Sequence, residues 1–183
     1  MLFVIVAFAA GSIPFGVIVA RRRGIDIRAH GSGNIGATNV TRVLGTGAGL
    51  VVLALDAAKG ALPVALAMHA DASDWVLAAT GGAAILGHCF SPLLGGRGGK
   101  GVATAFGVFG VLAPIGSAIA VIVFAAVARV SRVPALGSLA GVVAIAALMI
   151  RSGDAPRATL AAATALLLVY THRTNLAKLT TRR

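Results

Sequence analysis

Long apolar runs separated by short polar stretches organise this chain. Hydrophobic segments cover residues 2–20, 47–70, 75–93, 102–128, 135–150 and 157–170. A helix that crosses a bilayer needs about 20 residues, or about 17 at the low end. The run at 102–128 exceeds one comfortable span and carries Pro114 and Gly116 near its middle. Proline removes an internal hydrogen bond and kinks or ends a helix. Hydropathy alone therefore leaves two options, one long kinked helix or two short helices meeting at Pro114.

Charge placement separates them, because short cytoplasmic loops collect Lys and Arg. The first run has no cation before it and Arg21, Arg22 and Arg23 directly after it. That places the N-terminus outside, and the run is expected to be retained rather than cleaved as a signal. With a break at Pro114, residues 21–46, 95–101, 129–132 and 171–183 share the inner side with thirteen cations, against Arg151 and Arg157 outside. Without the break, nine cations lie inside and six outside. The expected class is an all-α integral membrane protein with seven transmembrane helices, two or more of them short. Its N-terminus is outside and its C-terminus cytoplasmic.

Composition supports this class. The chain is 58% hydrophobic and 11% charged, with a mean hydropathy of +0.95. A soluble domain with so few charges lacks the polar surface to cover its core, and a disordered chain would be poor in apolar residues. The net charge is +11. Confined to gaps between apolar runs, with few aromatics, those cations suit anionic lipid or an anionic substrate better than nucleic acid. Cys89 is the only cysteine, and the four histidines are scattered without ligand spacing. Neither a metal nor a cofactor is expected.

The topology brings three polar segments to one side. The first runs from Gly31 through Ser32, Gly33, Asn34, Ile35, Gly36, Ala37, Thr38, Asn39, Val40 and Thr41 to Arg42. Residues 31–36 match Gly-x-Gly-x-x-Gly, but no βαβ unit surrounds them, so a dinucleotide fold is not implied. Glycine-rich backbone lets N–H groups converge on an anion. Ser32, Asn34, Thr38 and Asn39 add neutral donors, and Arg42 adds a fork suited to phosphate. The alternative is a flexible polar loop.

The second segment, Gly95-Gly96-Arg97-Gly98-Gly99-Lys100-Gly101, leads into a helix start at Val102. It fails the P-loop pattern, since Gly101 stands where Ser or Thr would hold magnesium. Glycines, two cations and a helix N-terminus nevertheless suit an anion, with a simple turn as the alternative. The third segment is Tyr170-Thr171-His172-Arg173-Thr174-Asn175, where a spacing of three puts His172 and Asn175 on one helical face. His172 can equally be a polar anchor at the membrane boundary.

Lesser signals divide similarly. Asp56 and Lys59 lie three apart inside a run, which suits mutual neutralisation or a substrate-facing cation. Ser138 is a candidate anion donor or a helix cap. His69 and Asp74 fit the His-x4-Asp pattern of one acyltransferase class, but their short outer loop is remote from every cation-rich segment, so the match is read as coincidence.

Taken in order, the three segments resemble the PlsY family, the bacterial acyl-phosphate:glycerol-3-phosphate acyltransferases. The resemblance covers almost the whole chain and includes Gly11-Ser12-Ile13-Pro14-Phe15-Gly16, Leu55-Asp56, Lys59-Gly60, Gly87-His88, His172-Arg173 and Asn175. It implies one membrane-embedded acyltransferase domain over 1–183, in the bacterial plasma membrane, with its active site toward the cytoplasm. The implied reaction moves a fatty acyl group from acyl phosphate to the sn-1 hydroxyl of glycerol 3-phosphate. Lysophosphatidic acid and phosphate are the products. Implied partners are the two substrates, membrane lipid and an enzyme that supplies acyl phosphate, with no nucleic acid. The family's essential positions fall on Ser32, Arg42, Lys100, His172 and Asn175. Its substrate-holding positions fall on Gly31, Gly33, Asn34, Gly36, Thr38, Asn39, Arg97, Gly98, Gly99, Gly101 and Ser138. Gly96, Arg97 and Thr171 replace a usual aromatic, lysine and basic residue, and the tail 178–183 lacks the family's terminal Gly-x-Glu.

Two phosphate-bearing substrates repel, and Arg42, Arg97, Lys100 and aligned N–H groups offset that repulsion. Acyl phosphate is already activated, so proximity and charge stabilisation suffice without a covalent intermediate. The hydroxyl proton passes either to His172 or to an oxygen of the acyl phosphate. The second route is preferred, as the sequence offers no carboxylate to orient His172. The rival classes are a small anion transporter or channel, disfavoured by the one-sided polar segments and the lack of a repeat, and a non-catalytic lipid-binding subunit.

Overall fold

The computed structural model describes residues 1–180, and in that range the chain is helical without strands. Arg182 and Arg183, counted above among the inner cations, lie outside the described residues. Two compact units divide the chain, residues 1–108 and 109–183.

The first unit opens with α1 (Leu2–Ser12) and α2 (Phe15–Arg21). The sequence suggested one uninterrupted run here. Pro14 has no N–H to donate, and the helix ends at Ser12 before restarting at Phe15. Carbonyls at this break also gain side-chain donors from elsewhere in the chain. Lys59 Nζ donates to the Ile13 carbonyl at 2.8 Å and Ser91 Oγ to that of Ser12 at 2.6 Å. Helix α3 (Ala37–Leu44) follows a loop, then come α4 (Thr46–His69), α5 (Asp74–Cys89) and α6 (Val102–Leu112). Glycines bring α1 and α5 into backbone contact, Gly11 against Ala84 and Gly87 against Phe8. That register makes the pair antiparallel, and such close approach is how helices gain van der Waals contact in lipid.

The second unit begins in the last turn of α6 and continues with α7 (Pro114–Ser131), α8 (Pro134–Ser152) and α9 (Ala155–Thr180). The chain breaks at Ala113, so two helices form around Pro114 rather than one kinked helix. Helices α7 and α8 pack antiparallel, with Gly137 set against the Phe124 carbonyl and Gly141 against that of Ala120. Helix α9 runs without interruption past Tyr170, carrying His172 and Asn175.

Among the described residues, five segments are long and apolar enough to cross a membrane: Leu2–Arg21, Thr46–His69, Asp74–Leu94, Pro114–Ser131 and Pro134–Ser152. Helix α6 is apolar but has 11 residues, about 16 Å at the usual helical rise, short of a hydrocarbon core of about 30 Å. Large apolar side chains lie exposed on these helices, among them Leu2, Leu62, Leu66, Ile115 and Ile122, and Leu166 is exposed on α9. Water would penalise that surface; lipid does not.

Candidate functional site

The first polar segment is anchored by apolar residues on either side of its glycines. Ile27, Ile35 and Val40 are buried with Val17 and Ala20 of α2 and Ala48 and Val52 of α4. Gly16 of α2 lies so close to the Ile35 carbonyl that a Cβ at position 16 would overlap it. The loop is therefore pinned from below while its polar atoms stay accessible.

Asn39 fixes the path of this loop. Its side chain is 2% exposed. Its amide nitrogen donates to the Asn34 carbonyl at 2.9 Å and the His30 carbonyl at 3.0 Å. Its oxygen accepts the Ser32 N–H at 2.8 Å and a longer contact from the Arg42 guanidinium at 3.4 Å. Gly31 has φ +62°, and a Cβ there would overlap Asn39 Oδ1. Only glycine fits this combination of left-handed backbone and close approach. Asn34 accepts the Gly36 N–H at 2.9 Å, at the N-terminus of α3. The amides of Asn34 and Asn39 thus build the loop, whereas Ser32, Thr38 and Arg42 are exposed on it.

The second segment folds back over the end of α5. Gly98 N–H donates to the Cys89 carbonyl at 3.1 Å and Gly99 N–H to the His88 carbonyl at 3.0 Å. These bonds use carbonyls that a helix C-terminus leaves open. Arg97 is exposed, Lys100 half-buried, and Gly99 and Gly101 buried. Helix α6 starts at Val102, as the sequence suggested.

Both segments reach one cleft of about 510 Å³, lined by Asp26, Arg28, Ala29, Gly33, Ile35, Leu94, Arg97 and Gly98. Sequence reasoning missed Asp26 and Arg28. The available signal was an Asp-x-Arg pair just ahead of the first glycine. Arg28 grips Asp26 with two side-chain hydrogen bonds of 2.9 and 2.8 Å, and its backbone N–H adds a third at 3.1 Å. Those bonds hold the Asp26 carboxyl at about 2, below its ordinary 3.8. The cleft therefore keeps an anchored Arg28 and an exposed Arg97, with a single carboxylate already paired.

Ser138, His172 and Asn175 belong to the second unit. Ser138 Oγ donates to the Pro134 carbonyl at 3.0 Å, one helical turn back in α8. His172 is buried, with Nδ1 2.8 Å from the Leu168 carbonyl. A carbonyl only accepts, so Nδ1 carries a proton and donates. Asn175 is half-buried on the same helix, one turn on.

Asp56 and Lys59 neutralise each other, with Nζ 2.8 Å from Oδ1 and both side chains buried. Of the two readings the sequence allowed, the structure has the ion pair. His69 ends α4 and Asp74 begins α5.

Residues 1–182 match the family described as glycerol-3-phosphate acyltransferase. A glycerol-3-phosphate acyltransferase of Myxococcus xanthus is 59% identical over 105 residues, covering 56% of this chain and 54% of that protein. One from Thermus thermophilus is 54% identical over 102 residues, covering 56% and 51%. These matches span about half the length of the curated relatives. The crystal structure of PlsY, an integral membrane glycerol 3-phosphate acyltransferase in its glycerol 3-phosphate form, superposes with a TM-score of 0.95 at 37% identity. That superposition covers 98% of this chain and 91% of the other. A lysophosphatidic acid form of PlsY gives 0.93 over the same coverage.

Proposed function

Because the chain belongs to the glycerol-3-phosphate acyltransferase family, we propose that it acylates the sn-1 hydroxyl of glycerol 3-phosphate. The donor in this reading is acyl phosphate, and the products are lysophosphatidic acid and inorganic phosphate. The observation that carries it is the cleft in which Gly33 of the first glycine segment meets Arg97 and Gly98 of the second. Cations and glycine backbone at one cleft suit phosphate.

In the proposed mechanism the primary hydroxyl attacks the acyl carbonyl, the carbon–oxygen ester bond forms, and the acyl–phosphate bond breaks. The hydroxyl proton leaves on the departing phosphate. Arg42, Arg97 and Lys100 offset the repulsion between two phosphate-bearing reactants, and Ser32 and Thr38 donate to phosphate oxygen. Gly31, Gly33, Gly36, Gly98, Gly99 and Gly101 shape the binding backbone, which Asn34 and Asn39 hold in place. His172 and Asn175 bind and orient glycerol 3-phosphate without taking the reacting proton, and Ser138 belongs to the substrate-binding set. No covalent enzyme intermediate is needed, since phosphate is already a good leaving group.

The whole chain is read as one acyltransferase domain that crosses the bacterial plasma membrane seven times. Its N-terminus faces outward, and its glycine segments and C-terminus face the cytoplasm. The bias of Lys and Arg supports this orientation, and so does the break at Ala113. An enzyme that makes acyl phosphate would supply the donor.

Protein in sealed vesicles, given acyl phosphate and labelled glycerol 3-phosphate, tests the function. Labelled lysophosphatidic acid and released phosphate are expected. Label accumulating inside without lysolipid would instead make the protein a carrier, and neither outcome would leave only lipid binding.

A further inference from the structure

Three ionisable side chains lie buried beneath the second glycine segment and have no part in the chemistry proposed above. Asp56, Lys59 and His88 are 2%, 5% and 3% exposed. Asp56 Oδ1 lies 2.8 Å from Lys59 Nζ and 3.7 Å from His88 Nδ1. Apolar residues of similar volume would serve packing at least as well as a buried ion pair, so the trio calls for a role other than stability.

Both ends of the trio reach backbone. Lys59 Nζ donates at 2.8 Å to the Ile13 carbonyl, which also accepts the Phe15 N–H at 3.1 Å, and it lies 5.7 Å from the centre of the Phe15 ring. The opposite end is the His88 ring. A Cβ at position 99 would overlap His88 Nε2 and come within 2.9 Å of Cε1, so the Gly99 backbone rests directly on the imidazole. Gly99 N–H also donates to the His88 carbonyl at 3.0 Å. The Asp56 carboxylate lies on the Nδ1 side of the ring, and the Nε2 edge faces the loop.

We infer that Asp56, Lys59 and His88 are positioning residues that set the backbone of Gly98, Gly99 and Lys100 and thereby the phosphate affinity of the cleft. This rests on the proposed reading of that loop as a phosphate cradle. The three side chains touch no substrate. Lys59 ties the base of the device to the end of α1, Asp56 aligns the imidazole, and the imidazole supports the loop. Small displacements of a binding loop lower rates steeply, by as much as about a hundredfold for about 1 Å.

A double-mutant cycle tests the inference. Gly99→Ala, His88→Ala and the double variant are compared by thermal stabilisation with inorganic phosphate and by KM and kcat for acyl transfer. Gly99→Ala is expected to weaken phosphate binding about tenfold or more in the presence of His88. With His88→Ala already in place, adding Gly99→Ala should change phosphate binding less than about twofold, because the obstructing ring is gone. Equal losses in both backgrounds would overturn the inference. Asp56→Asn keeps the side-chain shape and serves as an independent check. It should raise KM for glycerol 3-phosphate while kcat stays within about twofold. A lowered melting temperature with unchanged KM would make the trio merely structural. Wild-type protein that transfers no acyl group would sink the proposed function, whereas active wild type with unmoved variants sinks only this inference.

Discussion

Asn39→Asp isolates what the first glycine segment requires. The substitution keeps size and shape and keeps one oxygen for the Ser32 N–H, which is 2.8 Å from Oδ1. It replaces the donating nitrogen by a second oxygen facing the carbonyls of His30 and Asn34, now 3.0 and 2.9 Å from Nδ2. These two hydrogen bonds, each with a net value of about 1 kcal/mol, are lost together with a longer contact to the Ile27 carbonyl at 3.4 Å, and the carbonyls are left facing an acceptor at a further cost of about 1 kcal/mol or more. A total of roughly 3 kcal/mol corresponds to about a hundredfold in the population of the correctly folded loop. Arg42, 3.4 Å from Oδ1, would also be drawn toward the new carboxylate and away from phosphate. Thermal unfolding with and without glycerol 3-phosphate reads both effects. The melting temperature should fall, and stabilisation by the ligand should largely disappear. If Asn39→Asp melts and responds to glycerol 3-phosphate as wild type does, the assigned role of Asn39 is wrong.

Three further outcomes follow from the same contacts. Gly16→Ala places a Cβ on the Ile35 carbonyl and should destabilise by about 1–3 kcal/mol, as overpacking does; an unchanged denaturation midpoint would contradict the pinned loop. The Asp26 carboxyl, lowered to about 2 from 3.8 by Arg28, should show no protonation by carbon-13 NMR as pH falls from 7 to 4. Because its folded value is depressed, the pair's contribution is full above about 3.8 and is lost as pH falls through about 2; a titration near 4 would show the pair to be absent in solution. His172→Gln should raise KM for glycerol 3-phosphate and leave the pH profile of kcat in place, whereas loss of one limb of that profile would make His172 the base.

Hydrophobic pattern foretold helix existence well because lipid-facing helices need apolar side chains over most of their length. Pro114 was legible for the same kind of reason, since a missing N–H acts locally and its consequence can be read from one residue. Pro14 carried an equally local signal, but the break there depends on partners from afar. Lys59 and Ser91 supply donors for the Ile13 and Ser12 carbonyls, and no spacing rule links positions 13 and 59. Asn39 illustrates a related limit. Its amide type suggested a ligand donor, yet whether such a group faces substrate or its own loop depends on the fold around Ile35 and Val40. Asp26 and Arg28 were overlooked because two residues of opposite charge in a polar stretch look like any solvated pair until Arg97 is brought to the same cleft. His88 gave no hint of its role beyond standing after a glycine.

The most direct measurement is the stoichiometry of a single reaction mixture containing purified protein, acyl phosphate and labelled glycerol 3-phosphate. One inorganic phosphate should be released for each labelled lysophosphatidic acid formed, with no acylated protein trapped on rapid quenching. Phosphate release without lysolipid, or an acyl group recovered on Ser32, would contradict direct transfer between two phosphate-bearing substrates.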